Sequence, residues 1–306
     1  MKLPEKAQVW FNGALVPWER ANIHVASHAL HYATSVFEGI RGYATPRGTA
    51  IVQLDAHVRR LIDSCRISEL PLRWSAAQVR DAIVETVRAN AFGSCYIRPL
   101  VYRGAGALGV DPTNSPVEMA VIVIEHGAHF GAQAYEQGIA MGVSSWRRIA
   151  PDTLPAMAKA SANYLNSMHI LLEARGNGFD DGIALDHEGY VSEGSGANLF
   201  VVSRGRLLTP SLGSSILEGV TRACVLELAA EAGLEVRQER IPREMLYLAD
   251  EVFVTGTAAE VTPVRAIDRR TIGSGARGPI TQRLQSAYLE IVTGKAPDTR
   301  GWLTQV

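Results

Sequence analysis

One lysine has the surroundings that carbonyl chemistry asks for. Lys159 lies in PAMAKASANY, residues 155–164, among small and apolar neighbours with no carboxylate in the segment. Such surroundings favour the neutral amine, the form that attacks a carbonyl carbon, although a lysine on an exposed loop can have the same local sequence. Downstream, Glu193 stands in GYVSEGSGANLFV between a β-prone run and a Gly-rich bend. A carboxylate there either faces a buried cation, such as a pyridinium nitrogen, or occupies a solvated turn. The stretch SSILEGVTRACVLELAAEAG starts a helix near Gly219, which leaves the N–H groups of Val220 and Thr221 pointing outward beside the Thr221 hydroxyl. Every helix has such an end. It becomes a phosphate seat only where a basic residue and a second donor loop converge on it, and Arg59 and the VTGTAAE segment with Thr257 are the candidates.

Other patterns point away from chemistry. Gly104, Gly106 and Gly109 spell Gly-x-Gly-x-x-Gly after a plausible strand, but that fingerprint must open a helix, and here Pro112 and Pro116 in DPTNSP make a loop. His24, His28 and His31 have the spacing of one helical face, yet no Asp, Glu or Cys lies among them. They are read as structural hydrogen-bonding residues, and no metal is assigned. Cys65, Cys95 and Cys224 are odd in number and far apart, which fits a reducing compartment. The start MKLPEKAQVW carries no basic stretch followed by a long apolar run, and the apolar string from Met119 to Ile124 is too short to span a bilayer. The expected location is therefore cytoplasmic, without a membrane partner. Thirty Lys and Arg against 31 Asp and Glu leave a net charge of −1, too balanced for general nucleic-acid binding.

The elements that must position these residues follow from periodicity. At 306 residues, 47% hydrophobic and 20% charged, the chain is globular and long enough for two domains. VWFNGALV predicts a hairpin about Asn12-Gly13, and SVFEGIRGY and TAIVQL predict strands around TPRG. Asp55 is expected to cap a helix carrying Val58, Arg59, Leu61 and Cys65. A capping box of Ser75 and Gln78 opens the next helix, with Gly93 placed to end it. CYIRPLVYR and VEMAVIVIEH are strands, the second buried on both faces. The pattern then repeats, with a helix near 161–175, strands around 183–202, a helix over about 219–232 closed by Gly233, and a strand at 251–255. Loss of periodicity and three glycines in HGAHFGAQAYEQG place the domain connection at 126–135. That leaves a small N-terminal α/β domain over 1–125 and a larger C-terminal domain over 136–306.

In chain order, SVFEGIRGY, Arg59, YIRP, the Lys159 segment with Tyr164, VSEGSGANLF, LEGVTR and VTGTAAEVTPV resemble the branched-chain aminotransferases of the type IV pyridoxal-phosphate fold. The likeness runs along nearly the whole chain. It implies an α/β (α+β) enzyme with a small α/β domain, a larger pseudo-barrel domain, pyridoxal 5'-phosphate at the domain interface, and a homodimer or higher homo-oligomer. It implies that Lys159 forms the Schiff base and shuttles the proton, that Glu193 pairs with the pyridine nitrogen, and that Tyr164 bonds the phenolic oxygen. Arg59, Leu217, Val220, Thr221 and Thr257 complete the implied cofactor set. For substrate, the resemblance implies Tyr96 and the backbone of Thr257 and Ala258 at the α-carboxylate, and Tyr32, Phe37 and Gly39 along an apolar pocket. Arg98 is the implied partner of a glutamate side chain. His126 and His129 stand where related enzymes commonly carry Trp and Tyr, which puts two smaller, titratable rings at the pocket. The implied reaction is reversible amino transfer between L-leucine, L-isoleucine or L-valine and 2-oxoglutarate. The alternatives are a D-amino acid or (R)-amine transaminase of the same fold, then an aminodeoxychorismate lyase or a non-catalytic protein that binds the cofactor.

Overall fold

The computed structural model describes residues 7–127, 130–131 and 133–306. They divide into two compact units, Met1–Gly127 with Ala158–Ala162 and Ile291–Val306, and Ala128–Met157 with Asn163–Glu290. Ala158 and Ala160 belong to the first unit's apolar core, and Leu303–Gln305 adds a strand to its sheet, so both stretches return to it.

In the first unit, Asn12 (φ 52°) and Gly13 (φ 116°) turn β1 (Gln8–Phe11) into β2 (Ala14–Pro17), as an Asn-Gly pair between β-prone runs demands. There follow α1 (His28–Tyr32), β3 (Ser35–Phe37), β4 (Ile40–Thr45), β5 (Gly48–Val52), α2 (Leu54–Ile67), α3 (Ala76–Asn90), β6 (Cys95–Arg103) and β7 (Val117–Glu125). The sheet is antiparallel, in the order C-terminal strand, β5, β4, β6, β7, β1, β2, with β3 also against β6. Val58, Leu61 and Cys65 of α2 and Val79, Ile83 and Val87 of α3 bury their helical stripes against Ile40, Ile97, Val101 and Met119 of the sheet.

The capping box at Ser75 and Gln78 forms as its spacing predicts. Two helix ends differ from expectation. Leu54, drawn into the core, starts α2 two residues early, so Gln53 takes the N-cap position and Asp55 lies in the first turn. Helix α3 stops at Ala91 in the left-handed region (φ 50°), short of Gly93, and Phe92 beyond it packs against the core. Gly104 to Pro116 connect β6 to β7 without opening a helix, as the two prolines require.

One break in the sheet matters for the site. Phe37 pairs with Leu100 and Ile40 with Ile97, so β3 and β4 are one line interrupted at Glu38 and Gly39. Pro99 sits opposite the interruption and has no N–H to return, although its carbonyl accepts from the Glu38 N–H at 2.8 Å. Freed from the ladder, the Glu38 side chain turns toward α2.

The second unit holds α4 (Ala134–Gln137), β8 (Ile139–Val143), α5 (Tyr164–Gly176), β9 (Asp181–Leu185), β10 (Val191–Gly194), β11 (Asn198–Ser203), β12 (Arg206–Pro210), α6 (Val220–Glu231), β13 (Val236–Glu239), β14 (Glu251–Gly256), β15 (Glu260–Ile267) and β16 (Arg270–Thr271). Its mixed sheet runs β10, β9, β8, β15, β14, β11, β12, β13, with β16 on β15. The path has two ends while β10 comes back beside β11 and β12, the open closure of a pseudo-barrel. Among the described residues no helix is long and apolar enough to cross a membrane.

Candidate active site

Strand alternation places Tyr96 and Arg98 on one face of β6. Arg98 Nη2 donates to the Tyr96 hydroxyl at 3.1 Å, and its guanidinium lies 4.5 Å from the Phe37 ring centroid and 5.3 Å from that of Tyr96. Its buried Nε has no hydrogen-bond partner. Lys159 Nζ lies 5.2 Å from the same Phe37 ring. Gly39 has no room for a side chain, because a β-carbon there would fall on the Tyr96 hydroxyl. The His126 ring meets Tyr96 edge-on, at 5.7 Å and 70°. Phe37, Gly39, Tyr96, Arg98, His126 and Lys159 therefore form one cluster of aromatic wall, guanidinium and amine.

The remaining first-unit candidates stand differently. Tyr32 is exposed on α1, its ring against His28 and His31 at 4.5 and 6.2 Å, and is not part of that cluster. Arg59 is exposed on α2 and carries no ion pair among the described residues, which leaves its charge for an anion. His129 lies outside the described residues. Of the histidine trio, only His28 and His31 fall in α1. His28 bonds Thr34 Oγ1 and the Gly109 carbonyl, His31 bonds the Val25 carbonyl, and His24 Nδ1 accepts from the Ala26 N–H.

A second cluster escaped the sequence. Glu38 is fully buried and accepts from Arg60 Nε and Nη2 at 2.7 and 2.8 Å and from His57 Nδ1 at 2.7 Å. Burial acts to raise its carboxyl, but Arg60 and then His57 outweigh it and hold Glu38 well below the usual carboxylate range. Burial pushes His57 below its ordinary value, with the Arg60 and Lys159 cations assisting against the pull of Glu38. The signal was present, an acid inside the apolar run SVFEGIRGY and a His57–Arg60 pair at helical spacing.

In the second unit, Glu193 ends buried on β10. Its Oε1 lies 2.9 Å from Arg148 Nη2, and its Oε2 accepts from Asn198 Nδ2 at 3.0 Å and from the Leu217 N–H at 3.1 Å. Leu217 thus acts on Glu193 through its backbone, and its carbonyl accepts from Asn198 Nδ2 at 2.9 Å. Arg148 and Asn198 were not anticipated. Asn198 also pairs with Thr255 across the sheet and fills the space a β-carbon on Gly219 would need, so the bends at 195–197 and 257–259 and the start of α6 meet around it. At that start Gly219 is the N-cap, no side chain caps the helix, and the first intrahelical bond is Ala223 N–H to the Gly219 carbonyl. The N–H groups of Val220, Thr221 and Arg222 thus lack helical acceptors, with buried Thr221 among them, as the sequence predicts. Thr257 and Ala258 occupy the bend between β14 and β15, both half-buried. Tyr164 opens α5, half-buried.

The amino-transferase class IV family model matches residues 35–267. The branched-chain-amino-acid aminotransferase of Escherichia coli K12 is 48% identical over 299 residues, 97% of this chain and 97% of the relative. That of Pseudomonas aeruginosa PAO1 is 43% identical, again over 97% of both chains. The crystal structure of the E. coli branched-chain amino acid aminotransferase superposes with a TM-score of 0.96 at 47% identity, covering 98% of this chain and 99% of that one. The branched-chain amino acid aminotransferase of T.th., solved with pyridoxamine 5'-phosphate, gives 0.95 at 47% identity, covering 99% of each chain. On sequence, fold and the residues described above, this chain belongs to the class IV aminotransferase family.

Proposed function

We propose that the chain is a pyridoxal-phosphate-dependent transaminase that exchanges the amino group of L-leucine, L-isoleucine or L-valine with 2-oxoglutarate. The observation that carries this reading is Arg98 against the Phe37 and Tyr96 rings, with the Lys159 amine against the same Phe37 ring. One site must take first an aliphatic and then an acidic side chain, and an aromatic wall with a guanidinium in it serves both.

The residues fit the cofactor. A doubly charged phosphate suits the unsatisfied N–H groups of α6 with the Thr221 hydroxyl and Thr257, and Arg59, which carries no ion pair among the described residues, is the guanidinium the resemblance implies for it. The buried Glu193 carboxylate suits a protonated ring nitrogen, held in place by Asn198 and the Leu217 backbone. Tyr164 supplies the hydroxyl for the ring oxygen. When bound, the cofactor supplies an aldehyde for the amine and a ring that takes up the electron pair left by the α-proton. Lys159 provides the Schiff-base amine and moves that proton. Tyr96, with the backbone at Thr257 and Ala258 that the resemblance implies, binds the α-carboxylate, while Phe37 and Gly39 line the side-chain pocket with His126 against Tyr96; Tyr32 is assigned to that pocket by the resemblance alone. The domain boundary near 126–135 remains part of this reading. A homodimer or higher assembly is supported by the large apolar side chains left exposed, Val25, Leu30 and Val110 among them. A cytoplasmic location is supported by three free cysteines.

Adding, in turn, L-leucine, D-alanine or (R)-1-phenylethylamine to the cofactor-loaded protein without an oxo acid, and then 2-oxoglutarate to restore the starting spectrum, tests the assignment. L-leucine is expected to bleach the visible band toward the near-ultraviolet, and Lys159→Ala to abolish the change. Preference for D-alanine or the amine would transfer the assignment to the D-amino acid or (R)-amine branch of the fold.

A further inference from the structure

Lys159 is gripped by its backbone inside the first unit. Its N–H donates to Ser64 Oγ at 2.9 Å, and its carbonyl accepts from the Phe37 N–H at 3.0 Å. Ser64 is fully buried on α2, and Phe37 ends β3. The residue after Phe37 is Glu38, which returns to α2 through Arg60 and His57. The path from Ser64 through Lys159, Phe37 and Glu38 to Arg60 thus closes on a single helix, every link a hydrogen bond or a run of adjacent residues.

Position on α2 makes this closure specific. His57, Arg60 and Ser64 are three and four residues apart and form one stripe, next to the apolar stripe of Val58, Leu61 and Cys65 that packs into the core. Buried polar groups cost stability unless satisfied, so a polar stripe inside a core is tolerated when its groups all find partners. Here the partners are the Lys159 backbone and the side chain beside Phe37, the ring over which Lys159 Nζ lies. Burial first, and then the charges of Arg60 and Lys159, disfavour a proton on the His57 ring against the pull of Glu38.

Resting on the assignment of Lys159 as the Schiff-base amine, we propose that Ser64 is a positioning residue for Lys159, and that the Glu38–Arg60–His57 cluster completes the clamp by fixing the Phe37 end to the same helix. Loss of the Ser64 acceptor frees the backbone from which the amine is projected. A misplacement of about 1 Å at a reacting group costs about 10²-fold in rate, so even partial release shows in turnover.

Ser64→Ala and Ser64→Cys, purified with cofactor, test the clamp. For Ser64→Ala the expected result is a kcat for L-leucine reduced about tenfold or more with KM within about twofold, and faster amide hydrogen exchange in the peptide spanning 158–161. Ser64→Cys keeps the size but is a poorer acceptor, so it falls between Ala and wild type, and it carries the test should the Ala variant fail to fold. Wild-type kcat and exchange in the variants overturns the proposal, as does a loss confined to KM or to cofactor content. Borohydride trapping and peptide mapping of the wild-type protein separate the two readings. A label away from Lys159 defeats the Schiff-base assignment, whereas unchanged exchange at 158–161 defeats the clamp.

Discussion

Each unit buries a glutamate against an arginine, and the two pairs are built to different ends. Glu38 takes two guanidinium nitrogens of Arg60 and the His57 ring from one stripe of α2, with the adjacent Gly39 N–H at 3.2 Å. Glu193 takes one guanidinium nitrogen from Arg148 and two neutral donors, Asn198 Nδ2 and the Leu217 N–H, from three separate segments. A carboxylate chelated by one guanidinium and a ring from the same helix is an internal bolt. One held largely by neutral donors, from bends that also shape the start of α6, sits where its charge can act on something else. On the proposed function, the same pair of residue types serves architecture in one unit and ligand chemistry in the other, and the donor set is what separates them.

Removing each carboxylate breaks the comparison most directly. Glu38→Ala leaves Arg60 buried without its counter-charge and is expected to cost about 3–5 kcal/mol, read as a fall in the urea midpoint. Glu193→Gln keeps size and part of the hydrogen bonding, so its main effect is expected in turnover, about 10²-fold in kcat (~2.7 kcal/mol), with a smaller shift in the midpoint. Equal losses of stability would show that Glu193 is a bolt as well.

Acid sharpens the contrast. Glu38 is lowered from an ordinary value of 4.5, so its contribution is complete above 4.5 and is lost as pH falls below it. His57 is lowered from 6.5, so the fold resists its protonation, and that contribution is complete above 6.5 and erodes as pH falls below 6.5. The groups facing this ring are Glu38, Arg60 and Lys159. The donors described for Glu193 are Arg148, Asn198 and the Leu217 N–H, none of which titrates in this range. Between about pH 7 and about pH 5, hydrogen-exchange protection is therefore expected to drop around 57–64 before it drops around 193–198. The reverse order would mean that the protonation of His57 is not opposed by the fold.

These two carboxylates also mark how far the sequence was legible. Local physics was readable: the Asn12-Gly13 hairpin, the Ser75–Gln78 box, the start of α6 at Gly219, and the loop that prolines impose after Gly109. Helix ends set by tertiary packing were not, because the burial of Leu54 moved one start and the seating of Phe92 accompanied the early stop at Ala91. Lys159 was legible from its small neighbours, yet those same alanines serve the first unit's core, which no local pattern distinguishes from a loop. Glu38 sits 19 and 22 residues from His57 and Arg60, and only the break opposite Pro99 turns it toward them. Arg148 is read beside Glu193 only once the fold is known.

The smallest expected effects come from two glycines that play matching parts. A β-carbon on Gly39 would fall on the Tyr96 hydroxyl, and one on Gly219 would fall on Asn198 Oδ1. In both cases the obstacle is a side chain that can yield, so the cost is a displaced polar group rather than a broken backbone, on the order of 1–2 kcal/mol. Gly39→Ala pushes Tyr96 away from Arg98, the proposed partner of the substrate's acidic side chain, so kcat/KM for 2-oxoglutarate is expected to fall about tenfold, mostly through KM. Gly219→Ala moves Asn198 off Glu193, so its loss is expected in kcat and in cofactor retention. A KM effect from Gly219→Ala and a kcat effect from Gly39→Ala would invert the division of labour between the units, since each glycine yields space to one side chain, and that side chain belongs to one half of the chemistry.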